Sequence, residues 1–174
     1  MAETPQQYQQ RMIDNLSGQD AKKVQAASAG RLAKLIRGKS RPVLARKPAP
    51  GKWSVNEILA HLAEAEIVIG YRMRSMVGSP GAALMGYDQD AWAAEGNYGK
   101  RDAKKSLAQF RALREANLDY LRGLSAEQMQ RHGMHSERGR ETLEFMVRMI
   151  AGHDVNHIKQ VEAILMKGKK SRDR

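Results

Sequence analysis

The sequence predicts an all-α protein, a four-helix bundle with long crossover connections. Apolar residues recur at helical spacing through several long segments, while no stretch shows sustained period-two alternation bounded by hairpin turns. Three capping-box patterns, Thr4-Pro5-Gln6-Gln7, Ser54-Val55-Asn56-Glu57 and Ser125-Ala126-Glu127-Gln128, mark where helices begin. At 174 residues the chain suits one domain with a real core. That domain is placed over residues 1–168, with 169–174 as a disordered basic tail.

Thr4 is an N-cap followed by proline at the first helical position, so a helix starts there and breaks at Ser17-Gly18. From Asp20 to Arg37, Val24, Ala27, Leu32, Leu35 and Ile36 keep helical spacing up to Gly38; the two segments are either separate or one kinked helix. Arg41 to Lys52 holds three of the five prolines and reads as a surface connection. Ser54 opens the next helix, with Val55, Ile58, Leu59, Leu62, Ile69 and Met73 as its buried stripe and His61 on the flank. A turn at Gly78-Ser79-Pro80-Gly81 leads into a long loop with one short helix, Asp88 to Glu95. Tyr87, Asp88, Asp90, Trp92 and Tyr98 make this loop more polar and aromatic than a plain linker, fit either to anchor it or to contact a substrate.

Asp102 caps a further helix to about Arg122, and Ser125 starts a short one. Arg131 to Arg140, with His132 and His135, reads as a solvent-facing loop. The last helix, Glu141 to about Met166, carries Leu143, Met146, Val147, Ile150, Ile158, Val161 and Ile164 on one face. Asp154 lies near the middle of that face, and His153 and His157 lie just beside it. Residues four apart are neighbours on a helix, with Cβ atoms about 5–6 Å apart, so the two imidazoles can share one metal ion. They equally fit a polar seam of neutral, hydrogen-bonded histidines. Asp154, costly to bury alone, either orients an imidazole or pairs with an arginine.

There is no cysteine, which excludes disulfides, thiolate metal sites and cysteine nucleophiles. The N-terminus lacks an apolar signal-like stretch and no run is long enough to span a bilayer, so a soluble, cytoplasmic protein is expected, without membrane contact. The net charge of +11 is concentrated in the ten basic residues between Lys22 and Lys52, a span with no acidic residue, and in the C-terminal tail. Nucleic-acid binders of this charge interleave stacking aromatics, which are 5% of this chain; a solvated face is expected, or an anionic small substrate, rather than nucleic acid.

Taken together, PAPGKWSVNEILAHLAEAE, GYDQDAW and ETLEFMVRMIAGHDVNHIKQVEAIL resemble the DinB superfamily, which includes YfiT-type metal-dependent hydrolases and bacterial thiol S-transferases. The resemblance runs from about Asp20 to Met166 and rests on Trp53, Ser54, Glu57, His61 and Leu62 in one block and on His153 and His157 in the other. It implies a four-helix bundle, a homodimer, and a divalent metal on His61, His153 and His157; imidazole ligands suit zinc, nickel, iron and copper alike. Three imidazoles leave coordination open, the catalytic pattern, in which bound water or a coordinated thiol is ionised. With no cysteine in the chain, a thiol arrives as a low-molecular-weight substrate. Asp154 and Glu57 are then supporting groups, Tyr87 and Trp92 pocket walls, and the reaction a hydrolysis or a thiol transfer. The alternative is a non-catalytic stress-response module whose basic surface holds an anionic partner. A helix bearing HDVNH also invites comparison with zinc proteases, but their general-base glutamate is absent, Asp154 standing in its place.

Overall fold

The computed structural model describes residues 3–170, with side chains to residue 166. Helix α1 spans Pro5–Leu16, α2 Ala21–Ile36, α3 Arg41–Ala45, α4 Val55–Gly78, α5 Gln89–Glu95, α6 Ala103–Arg122, α7 Ala126–Met129 and α8 Leu143–Lys170. The capping boxes at Thr4, Ser54 and Ser125 all form, each hydroxyl accepting from the backbone amide three residues on. Ser17 and Gly18 adopt positive φ, which separates α1 from α2 rather than kinking one helix. The proline-rich connection begins with the short α3 instead of running wholly irregular. Helix α8 continues past Met166 to Lys170; the remaining tail residues, 171–174, lie outside the described residues.

The long helices α2, α4, α6 and α8 form the bundle. Helix α4 lies along α6 and α2 along α8, while α1 packs closely against α8. Gly152 makes that last approach possible: a Cβ there would sit 1.6 Å from the backbone oxygen of Met12. The core has two apolar halves. One gathers Leu32, Leu59, Leu62, Phe110, Ile158 and Val161, the other Met12, Met73, Met76, Leu121, Leu143 and Met146.

Between them, at mid-height on three helices, lies a charged layer of Glu66, Arg114 and Asp154, each 1–3% exposed. Arg114 donates through both terminal nitrogens to Asp154, and through Nη2 to Glu66 at 2.8 Å. Asn117 donates to Glu66 Oε2 at 3.1 Å, and Gly70 leaves room for it, since a Cβ there would lie 2.6 Å from the Asn117 amide oxygen. Burial alone would depress the Arg114 pKa, but Asp154 and Glu66 overturn this and hold it above the ordinary value.

The expectation of no sheet is corrected. Ala83–Leu84 (β1), His132–His135 (β2) and Gly139–Thr142 (β3) form a small sheet in the order β1-β2-β3, parallel then antiparallel. The segment Arg131 to Arg140, expected as an open loop, is therefore mostly a hairpin. Its inward positions are Gly133 and His135 while Met134 points out, 46% exposed, so the hydropathy alternation that marks a strand is inverted here. The same pairing corrects the reading of the two histidines as solvent-facing: His132 is half-buried and His135 is 3% exposed. Gly133 is required beneath Leu84, whose side-chain carbons would lie 2.6 Å from a Cβ.

Candidate metal centre

Helix α4 presents His61 one turn before the charged layer, and α8 presents His153 and His157 on either side of Asp154. All three rings are buried, at 2%, 8% and 7% exposure. Their ε nitrogens converge: His153 Nε2 lies 3.1 Å from that of His61 and 3.0 Å from that of His157. Nitrogens bound to one cation at about 2.0–2.1 Å in tetrahedral array stand roughly 3.3 Å apart, so little movement is needed to share an ion. This is the residue set in which each member offers a ligand atom within 4.8 Å of the others.

Electrostatics favour ligation over protonation. Burial, with the neighbouring His157, lowers the His61 pKa to about 3. Burial lowers His157 to about 4 despite its bond to Gln160, and burial followed by the other two rings drives His153 well below its ordinary value. The rings are neutral at pH 7, as ligands must be. His157 Nδ1 meets Gln160 Oε1 at 2.9 Å; with that oxygen accepting, Nδ1 carries the proton and Nε2 keeps its lone pair. In a ring of three converging ε nitrogens, one proton on His153 Nε2 serves only one neighbour, whereas three lone pairs serve a shared cation. The donor set therefore fits a divalent transition metal.

Of the two roles open to Asp154, the structure shows the structural one, and Glu57 is likewise structural. Asp154 bonds to Arg114 and not to an imidazole. Glu57 closes its own capping box, accepting from Ser54 N and Oγ at 2.7 Å each, and meets Lys47 at 3.0 Å. Gln160, one turn beyond His157, is the side chain that touches a ring nitrogen, and its i, i+3 spacing was the available signal. Trp53 packs its ring 4.9 Å from that of His61.

Two cavities open beside the cluster. The first, about 400 Å³, is bordered by His61 and His153 and reaches Tyr8, Arg72, Tyr87 and His135. The second, about 600 Å³, is bordered by His153 and His157 with Trp53, Arg11 and Asn156. Tyr87 lines the first cavity, its hydroxyl pKa pushed up to about 12 by burial. Trp92 stands behind it, 40% exposed, with ring centroids 4.6 Å apart, bracing Tyr87. Tyr8 on α1 borders both cavities, a role with no sequence signal because α1 precedes the histidine motifs.

Facing helices of a bundle are where metal sites are built, and three converging histidines with open space beside them fit that arrangement. The DinB superfamily model matches residues 25–161, and the chain belongs to that superfamily. A curated protein of Oceanobacillus iheyensis, named provisionally as a metal-dependent hydrolase, is 25% identical over 114 residues. That match spans 66% of each chain, just under two thirds of the relative's length. The solved structure of YfiT from Bacillus subtilis, titled as a metal-dependent hydrolase by inference and as an unusual four-helix bundle, superposes with a TM-score of 0.80. It is 19% identical and the superposition covers 97% of this chain and 91% of YfiT, which establishes the bundle topology. Among the described residues no helix is long and apolar enough to cross a membrane.

Proposed function

We propose that this chain is a metal-dependent hydrolase whose His61, His153 and His157 hold one divalent cation through their ε nitrogens. The observation that carries the proposal is the convergence of three buried imidazoles, all kept neutral, at 3.0 and 3.1 Å. Zinc, nickel and iron all suit imidazole donors. When bound, such a cation supplies Lewis acidity and brings the pKa of water down to about 7. The protein's own part is to fix and shield. Gln160 holds the His157 proton at Nδ1, and the charged layer pins α8 against α4 and α6 at the height of the rings. Ala65, Ile69, Met149 and Ile150 give the first cavity an apolar wall against which the hydrocarbon part of a substrate can lie.

One observation favours a second reading, transfer of a low-molecular-weight thiol. His153 borders both cavities, so two organic reactants have separate spaces beside the cluster, whereas hydrolysis needs room for only one. Both readings share the metal. Protein purified without an affinity tag is expected to carry about one transition metal ion per chain, and His157→Ala to lose it. Equal metal content in the two would overturn the assignment. For the metal-loaded protein, activity toward an ester or amide panel without added thiol supports hydrolysis; turnover only with thiol supports transfer.

A further inference from the structure

We propose that the first cavity ends, away from the histidines, in a docking site for an oxyanion, built from Arg72 and His135. The substrate is then an elongated molecule with an apolar middle and a terminal carboxylate, sulfonate or phosphate. This deepens the metal-site reading and rests on it for the position of the reacting end.

The cavity has a polarity gradient written along α4. His61 and Arg72 are eleven residues apart, three turns and about 16 Å along the axis, and return to nearly the same azimuth. Ala65, Val68 and Ile69 line the wall between them, faced by Met149 and Ile150 of α8. The reacting end is thus separated from the far end by an apolar passage.

At that far end two buried donors lack partners. Arg72 is 7% exposed; Nη2 donates to the carbonyl of Met85, but Nε has no acceptor. Among the described residues no carboxylate pairs with it, and burial, then the nearby Arg138, pulls its pKa below the ordinary value. His135 accepts from the Glu137 amide at Nδ1, which puts its proton on Nε2, and that nitrogen is also buried without a partner. A buried guanidinium without a salt-bridged counter-charge and a buried unused N–H are each unfavourable, and both residues border the same cavity, where a single seated oxyanion would serve the two.

Of the carboxylates nearby, all but Glu137 are engaged elsewhere, and Glu137 borders the cavity from its solvent-exposed side. Glu141 binds Arg138 through both oxygens, at 2.5 and 3.1 Å, and also accepts from Gln9. Glu3 pairs with Arg11, and Asp88 caps α5.

Hexanesulfonate and 1-hexanol, titrated calorimetrically into the metal-free protein, test the site apart from the metal. Hexanesulfonate is expected to bind saturably and at least tenfold more tightly than hexanol, with Arg72→Met abolishing the preference and Arg72→Lys retaining part of it. Equal affinities, no binding of either compound, or an unchanged sulfonate affinity in Arg72→Met would overturn the proposal. Should Arg72→Met not fold, the wild-type comparison and Arg72→Lys still decide. A second arm loads the protein with cobalt(II) and follows the thiolate absorption band with 6-mercaptohexanoate and 6-mercaptohexanol. A preference of tenfold or more for the acid supports the site. A band without preference rejects the site and leaves the metal reading intact; failure to take up cobalt rejects the metal reading, while the sulfonate arm still judges the site.

Discussion

Removing Arg114 tests whether the charged layer holds the bundle together at the level of the histidines. Arg114→Met keeps most of the side-chain length but leaves Glu66 and Asp154, 2% and 1% exposed, without their shared cation. Breaking a buried ion pair by removing one partner costs about 3–5 kcal/mol, because the remaining charge is uncompensated. Two carboxylates depend on this one guanidinium, so the loss is expected at the upper end of that range. For a chain of this size that corresponds to a fall in Tm of roughly 10–20 °C. Urea unfolding at pH 7, followed by circular dichroism, reads the free energy directly. The triple variant Arg114→Met, Glu66→Gln, Asp154→Asn removes the stranded charges while keeping an acceptor for Asn117, and should recover at least half of the loss. A single-variant loss below about 1 kcal/mol, or a triple variant no better than the single, would refute the view that the layer is held by charge compensation.

Acidification should destabilise the metal-free protein in a definite window. The folded-state pKa values of His61 and His157, about 3 and about 4, lie below the ordinary 6.5, so the unfolded chain binds more protons over that interval. Stability is then full above pH 6.5 and is lost as pH falls toward 4, by up to about 2 kcal/mol per histidine at pH 5; a flat urea midpoint between pH 7 and 5 would contradict this. Gln160→Ala should weaken metal affinity by about 10–100-fold through loss of tautomer control at His157, measured by chelator competition. Gly152→Ala should push α1 off α8, since its methyl meets the backbone of Met12. Faster amide exchange confined to α1, with a loss of about 1–3 kcal/mol, is expected, and a variant as stable as wild type would rule the close approach out. Ser54→Ala should cost about 1 kcal/mol by uncapping α4.

The helices were legible because their signals are local. Capping boxes, glycine stops and 3.6-residue periodicity placed all four long helices within a few residues, and the i, i+4 spacing of His153 and His157 placed two rings of the cluster on one face. The sheet was not legible, because glycine and histidine occupy its inward positions and methionine its outward one. His135 was misread for the same reason. Convergence of His61 with the other two depends on how α4 crosses α8, which periodicity does not encode; the family resemblance supplied it. Arg72 passed unnoticed because a charged residue in a helix ordinarily faces water, and only tertiary packing buries this one. Asp154 was seen to need a partner, but Arg114 and Glu66 come from distant segments.

Helix α1 lies ahead of the family-matched span, yet Tyr8 walls both cavities and Glu3, Thr4 and Pro5 border one of them. A helix outside the family-matched span therefore shapes the space a substrate must occupy. Ligand preference can drift through substitutions in these first residues while the histidine cluster and the charged layer stay untouched. A purification tag fused at the N-terminus would crowd that same doorway, and a polyhistidine one would also bring competing imidazoles to it.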